Sequence, residues 1–208
     1  MFSFLRGTGG GGTETVPLFP LRTVLFPGGV LPLKIFETRY VEMTKACLKD
    51  ERPFGVVLLT RGEEVRREGD EPEFAPIGTL ARITSWDMPQ LGILHLATVG
   101  LARFRVEQHD TDDAGLVVGR ILPLAAEPVQ PLPPTHQALA QLLELIATRV
   151  GPENFPLERP YDDASWVGYR LAELLPLPLH IKQSMLEIND ALVRLAVLQQ
   201  FLQQQGVL

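Results

Sequence analysis

The sequence has very little cysteine, since Cys47 is the single one among 208 residues. One cysteine cannot form a disulfide within the chain, which favours a reducing compartment, and the cytoplasm is the expected location. Cys47 lies in a segment with a helical pattern, so we expect a small buried side chain there and not a reactive thiol. Long hydrophobic runs are missing too, because no segment reaches the ~18 uninterrupted apolar residues of a membrane span. The apolar start is too short for a signal peptide, so no membrane partner is expected.

An excess of basic residues is also missing. The 19 Lys and Arg are outnumbered by 25 Asp and Glu, which gives a formal net charge of -6. Binding to a phosphate backbone depends on Lys and Arg, so nucleic acid is not favoured as a partner. Aromatic residues, which stack on unpaired bases, make up 7% of the chain. The 45% hydrophobic and 21% charged composition is typical of a folded protein with a packed core.

The common patterns of catalysis and cofactor binding do not occur in a usable context. The segment GTGGGG, residues 7–12, formally fits the G-x-G-x-x-G dinucleotide pattern, but Pro17 and Pro20 follow where that pattern needs a helix. The histidines lack metal-binding spacings, and the serines lie outside G-x-S-x-G. Lys182 and Ser184 are two residues apart, so on a helix their side chains diverge and cannot share a proton. We expect no cofactor, no metal site and no enzymatic activity.

The chain divides by composition into four parts. Residues 1–13 combine a short apolar start with a glycine run and are expected to form a flexible tail. Residues 14–124 are mostly β-rich segments separated by turn residues, with LGILHLATVG and LARFRVEQ appearing as two separate strands. Residues 125–134 are rich in proline and predict a stiff linker. Residues 135–208 carry apolar residues at helical spacing and predict a helical bundle.

The ends of the predicted helices are marked by residues that stop or cap a helix. Gly151 ends the first helix of the bundle, and either Asp162 or Asp163 can cap the second. Pro178 suits the first turn of a third helix, and Asp190 offers a cap for a fourth. Whether the third and fourth are one kinked helix is left open by the sequence.

The most unusual stretch is VPLFPLRTVLFPGGVLPLKIFETRYVEM, from Val16 to Met43, which is largely apolar but interrupted by four prolines and two adjacent glycines. Prolines of this kind suit strand edges, where no backbone donor is needed. Gly28 and Gly29 can supply the positive φ of a turn. The one helix predicted in the β-rich part begins near Thr38.

This stretch resembles the opening of the Lon protease N-terminal domain family. The later segments IGTLARI, TVGLARFRVE and LLPLPLHIKQSMLEINDALVRLAVLQQFL are similar to later parts of that family in order and spacing, and the resemblance covers residues 15–205. It implies an α+β fold, in which a PUA-like β-barrel over residues 14–124 with one inserted helix precedes a helical bundle. It also implies recognition of polypeptides, commonly unfolded or damaged ones.

The ATPase and peptidase domains of full Lon proteases are not found in this sequence. The resemblance therefore implies a stand-alone, non-catalytic recognition or adaptor module, with unfolded polypeptides or an unknown protein as partner. Most apolar residues of the opening stretch are expected in the core, but its polar members are harder to place there. The candidate ligand-binding residues are Arg22, Phe36, Glu37, Arg39 and Tyr40. The structural alternative is that Glu37 favours the helix dipole and Arg39 pairs with a carboxylate.

A second function class is RNA binding, which the wider PUA-like resemblance implies. It requires a basic surface with exposed aromatic residues, whereas polypeptide binding requires an apolar groove or an open strand edge. The negative charge favours the polypeptide. The directions of five arginines distinguish the two classes: Arg22, Arg39, Arg82, Arg103 and Arg105.

Overall fold

The computed structural model describes residues 12–64, 72–151, 155–156 and 159–208. The predicted flexible tail, residues 1–13, lies outside this part except for its last two residues. The strands are β1 Glu14–Leu21, β2 Val30–Ile35, β3 Phe54–Arg61, β4 Glu73–Phe74, β5 Ile77–Gln90, β6 Ile93–Thr111 and β7 Val117–Pro123. The helices are α1 Thr38–Lys49, α2 Gln137–Val150, α3 Ala164–Leu174, α4 Leu179–Glu187 and α5 Ala191–Gln204, with a 3₁₀ turn at Pro134–His136. None of the helices in these described ranges is both long and apolar enough to cross a membrane.

The strands form one largely antiparallel sheet whose pairings close on themselves. β1 pairs with β7, β7 with β6, β6 with β5 and β5 with β3, all antiparallel, and β3 returns to β1 in a parallel pairing. β2 adds to β6 outside this ring, and β4 adds to β3. The prediction of two strands in LGILHLATVG and LARFRVEQ was wrong, because β6 runs through both of them as one strand of 19 residues.

Gly100 lies in the middle of β6, where the turn containing Gly28 and Gly29 crosses it. The Gly28 amide donates to the Gly100 carbonyl, and the Gly100 amide donates to the Gly29 carbonyl, each at 2.8 Å. Gly28 has a φ of 70°, a conformation that favours glycine. A Cβ atom on Gly100 would lie 2.2 Å from the Phe26 carbonyl oxygen. Gly28 and Gly100 therefore allow the two backbones to approach closely.

The helices pack on the sheet and not only on one another. The core formed by α2, α3, α4 and α5 also contains Phe26 and Ile77 from the β-rich part. Gln183 of α4 donates to the Ile77 carbonyl at 2.9 Å. Asp163 caps α3, and Asp190 caps α5 through the amides of its first turn. The cap at Asp190, together with the extended backbone before it, separates α4 from α5.

The proline-rich segment 125–134 connects β7 to the 3₁₀ turn and is anchored by Glu127, whose side chain is only 5% exposed. Ser165 Oγ and Arg194 Nη1 donate to Glu127 Oε2 at 2.6 and 3.0 Å, and the Tyr169 hydroxyl donates to Oε1. Arg103 of β6 places Nη2 3.5 Å from the same carboxylate. Glu127 therefore ties the sheet to α3 and α5. The division of the chain at this segment stays a prediction.

Candidate functional site

Three of the predicted site residues lie together at the start of α1. Tyr40 is buried and stacks on Phe19 with ring centroids 3.9 Å apart. Arg39 is buried beside it, and its guanidinium lies 4.4 Å from the centre of the Tyr40 ring. Arg39 Nη1 donates to the Gly115 carbonyl at 2.9 Å and Nη2 to the Glu64 carbonyl at 3.2 Å. The arginine therefore cross-links α1 to two loops that are distant in sequence.

The other polar candidates hold the same region together. Glu37 accepts a hydrogen bond from Arg39 Nε at 3.1 Å, so the carboxylate that pairs with Arg39 is its own neighbour. The Arg22 amide donates to Glu64 Oε1 at 2.5 Å, and Arg22 Nη2 donates to the Gly62 carbonyl at 2.8 Å. A depression beside them, lined by Pro20, Arg39, Tyr40, Pro72 and residues 62–64, has a volume of about 10 Å³, room for roughly one water molecule.

Phe36 differs from the other four candidates, because its side chain is 55% exposed where β2 has ended. The structure thus brings Arg22, Glu37, Arg39 and Tyr40 together around residues 62–64, and the described residues there line a depression too small for a peptide. A role of these five residues in ligand binding stays a prediction.

Replacing Arg39 by lysine tests the structural role. Arg39→Lys keeps the positive charge but loses the planar fork that reaches both carbonyls. We expect the free energy of unfolding to fall by about 1–2 kcal/mol because one buried carbonyl loses its partner. Urea titration followed by circular dichroism measures the change, with the exposed Lys45→Arg as a control. An unchanged stability would contradict the cross-linking role.

The largest exposed apolar side chains of the sheet lie on a different element. Beyond its contacts with β3, the β5–β6 hairpin extends as an arm, which we define as residues 82–99. Trp86 is 56% exposed and Leu91 at the turn is 94% exposed, with Met88 also exposed between them. Trp86 pairs with the buried Leu96 of β6, which in turn pairs with Leu33 of β2. The Trp86 side chain therefore lies on the same face of the sheet as these core residues, but at the exposed edge.

The sequence contained a signal for this surface that the predicted site did not use. The segment SWDMPQLG places a tryptophan, a methionine and a leucine around a turn, where polar residues are the rule. Hydrophobic periodicity predicted the strand that is β5. It did not show that the outer half of β5 extends beyond its pairing with β3. Trp86, Met88 and Leu91 are therefore the residues that sequence reasoning missed.

Lys182 and Ser184, the candidate catalytic pair of the sequence, do not contact each other through their side chains. Lys182 Nζ donates to the Glu173 carbonyl at 2.6 Å, and Ser184 Oγ donates to the His180 carbonyl at 3.0 Å, so the two side chains bond elsewhere and not to each other. Burial raises the pKa of the Cys47 thiol to about 11, which keeps it protonated at neutral pH. Within the same ranges, no three His, Cys, Asp or Glu side chains could hold a metal ion together.

The five arginines that distinguish peptide from RNA binding do not share one surface. Arg39 and Arg103 are buried, and Arg103 Nη1 donates to the Leu186 carbonyl at 2.7 Å. Arg22 is held by the loop at residues 62–64. Arg82 and Arg105 are the two that are exposed without such a contact among the residues that the structure describes. These directions give no support to a continuous basic surface.

Comparison with known proteins agrees with this fold. A model of the ATP-dependent protease La (LON) substrate-binding domain matches residues 15–204. The chain belongs to this family. A crystal structure of a Lon N-terminal domain protein from Xanthomonas campestris is 35% identical, with a TM-score of 0.72 over 89% of this chain and 97% of that one. The N-terminal domain of the Mycobacterium avium complex Lon protease shares the fold, at 18% identity and a TM-score of 0.59 over 89% of this chain and 96% of that one.

Sequence relatives of this Lon-family chain are much longer proteins. Lon protease 2 of Myxococcus xanthus is 36% identical over 94 residues, which are 45% of this chain and 11% of that protein. The chain therefore matches about a tenth of that relative's length. The family model that matches this chain is that of a substrate-binding domain.

Proposed function

We propose that this Lon-family domain is a non-catalytic module that recognises unfolded or damaged polypeptides. The observation that carries the proposal is the exposed apolar surface of the arm, formed by Trp86, Met88 and Leu91. Unfolded chains expose the apolar side chains that folded proteins bury, so they fit such a surface. The relatives support a polypeptide ligand, since the matching family model is that of a substrate-binding domain.

The affinity expected of this surface is modest. One arm offers a small contact area, below the roughly 1,200 Å² of stable interfaces, and ordering a flexible ligand reduces the gain further. We expect a dissociation constant of about 1–100 μM, with little dependence on salt because the attraction is mainly apolar. Folded forms of the same polypeptide are expected to bind less.

The same proposal includes the architecture and the location. We propose that the closed ring of strand pairings is a PUA-like β-barrel, that residues 135–208 form a second domain, and that the protein acts in the cytoplasm. The parallel return of β3 to β1 supports the barrel, because it removes the free edges that an open sheet would have there. The single cysteine supports a reducing compartment.

Replacing Trp86 by alanine tests the binding surface. Trp86→Ala removes the largest exposed side chain of the arm, and we expect at least a tenfold loss of affinity for unfolded polypeptide. Fluorescence anisotropy of labelled casein, titrated at two ionic strengths, measures the change. Leu145→Ala on the exposed side of α2 is the matched control and should bind as the unmodified protein does.

Two outcomes of this titration would contradict the proposal. Equal affinity of the Trp86 and Leu145 variants would show that the arm is not the binding surface. Tight binding of poly-U RNA that weakens steeply with salt, without any polypeptide signal, would favour RNA recognition instead.

The absence of catalysis is a separate prediction. We expect the purified protein to hydrolyse neither ATP nor casein, because Lys182 and Ser184 bond elsewhere and the sequence has no phosphate-binding lysine motif. Phosphate release and casein cleavage measure the two activities. Casein cleavage that persists through purification and disappears in Ser184→Ala would show that the domain is an enzyme.

A further inference from the structure

One edge of the arm has open backbone groups. β3 pairs with β5 only through Thr79, Leu80 and Ala81, while β6 lies on the other side of β5 as far as Gln90. Among the residues that the structure describes, no strand pairs with β5 on the β3 side beyond Ala81. The amides and carbonyls of residues 82–87 that point to this side are therefore available to a further strand, whereas the Met88 amide donates to Asp87 and Pro89 has no N–H.

The two faces of this edge differ in chemistry. A bulge between Ile83 and Ser85 places Ile83 and Trp86 in register with Thr98 and Leu96 on the core face. On the opposite face, Arg82 and Asp87 are in register with Val99 and His95, which are four residues apart on β6. Both charged side chains are exposed. The edge therefore presents an apolar side at Trp86 and one charge of each sign on the other side.

We propose that this edge binds the substrate polypeptide as an additional β-strand. Backbone hydrogen bonds from residues 82–87 hold the strand, and its alternate side chains meet the two faces. The segment that fits best has apolar residues at every second position, against Trp86. Between them it carries an acidic residue beside Arg82 and a basic residue four positions away beside Asp87. The inference rests on the proposed function and defines its ligand and its mode of binding.

A second copy of the chain is a less suitable occupant of this edge. The Met88 amide donates to Asp87 Oδ1 at 2.7 Å, so the last donor before Pro89 is already satisfied. Together with the bulge at Ile83, this leaves a short edge, which is how proteins discourage edge-to-edge pairing. Pairing of two rigid arms over such a length would bury far less than the roughly 1,200 Å² that stable dimers need. A flexible polypeptide can also contact the apolar residues at the turn.

The test uses a blocked heptapeptide, acetyl-Val-Glu-Val-Thr-Phe-Lys-Val-amide, as the probe. Its binding is followed by Trp86 fluorescence in a Trp166→Phe variant, which leaves Trp86 as the one tryptophan of the chain. Two further peptides carry N-methyl groups on the odd-numbered or on the even-numbered positions. An added strand uses the N–H groups of only one of these two sets.

We expect one methylated peptide to lose at least tenfold in affinity and the other to stay within about threefold of the parent. Equal effects of the two sets, whether both bind or both fail, would overturn strand addition. The proposed function would survive that result if casein binding still depended on Trp86. The proposed function would be rejected only if casein binding did not depend on Trp86, so the two failures are distinguishable.

The charges provide an independent measurement. In Asp87→Lys, we expect the parent peptide to bind about threefold more weakly and a peptide with glutamate in place of its lysine to bind more tightly. If the ratio of the affinities for the parent peptide and the glutamate peptide were the same for the unmodified protein and for Asp87→Lys, the assigned register would be contradicted. Sedimentation velocity tests whether a second copy of the chain occupies the edge. A dimer that dissociates in Trp86→Ala, found together with no binding of the peptide, would assign the edge to a second copy.

Discussion

Glu127→Ala is expected to lower the free energy of unfolding by about 3–5 kcal/mol, the largest effect of any single substitution proposed for this protein. The carboxylate lies between the buried guanidiniums of Arg103 and Arg194, and its removal leaves both charges without their anionic partner. Tyr169 and Ser165 lose their acceptor at the same time. The cost comes from burying unpaired groups and not from the attraction of one ion pair.

Urea titration of the Glu127 variant by circular dichroism measures this loss. Glu144→Ala on the exposed side of α2 is the control and should change stability by less than about 0.5 kcal/mol. A loss for Glu127→Ala as small as that of the control would show that segment 125–134 does not hold the sheet and helices together.

The contribution of Glu127 also depends on pH in a defined direction. Burial alone would raise the pKa of this carboxyl, but hydrogen bonds from Arg194, Ser165 and Tyr169 outweigh it and hold the pKa below 4.5. A lowered pKa stabilises the fold above the pKa of the unfolded chain, and this stability is lost as the pH falls through the folded value. The stability difference between the unmodified protein and Glu127→Gln should therefore be constant near neutral pH and shrink below about pH 4.5.

Gly100→Ala is expected to destabilise the protein by about 2–3 kcal/mol, the second largest effect. The new Cβ would lie 2.2 Å from the carbonyl oxygen of Phe26, and a backbone atom cannot move aside as the end of a side chain can. The turn at Gly28 and Gly29 would have to separate from β6, with loss of the two hydrogen bonds that join them. Because Gly100 lies where the arm leaves the ring, we also expect weaker polypeptide binding.

Thermal or urea unfolding of Gly100→Ala measures this effect. Gly12→Ala is the matched control, since a Cβ there meets no atom within 4 Å. Equal stability of the two variants would contradict the close approach of the turn and β6.

Much of the order of elements follows from local sequence. Asp163 and Asp190 cap α3 and α5, and Gly151 with a φ of 91° follows α2, as capping preferences predicted. The opening stretch and its later companions also indicated the family that the comparisons show. The caps depend on the backbone preferences of a few neighbouring residues, which the sequence displays directly, whereas the family was indicated by the resemblance of whole segments.

The candidate site depended on contacts that the sequence does not display. Arg39 and Glu37 pair with each other, as the structural alternative held, but Arg39 also reaches Gly115, 76 residues away. The sequence pattern predicts two strands that meet at Gly100, although this glycine is a point of backbone contact inside one strand. In both cases, a distant part of the chain decides the role of the residue.

The sequence by itself indicated the family and the α+β class through its resemblance to known motifs, and it placed the helix stop at Gly151 and the cap at Asp190, because capping acts over roughly one or two turns of chain. It left open whether α4 and α5 are one helix. Only the tertiary structure decided the closure of the strand ring through β1 and β3, the burial of Glu127 between two arginines and the open edge beside Trp86. Each of these joins or separates segments far apart in sequence. Whether a strand side meets solvent or a partner is set by such non-local pairing, which local pattern does not encode.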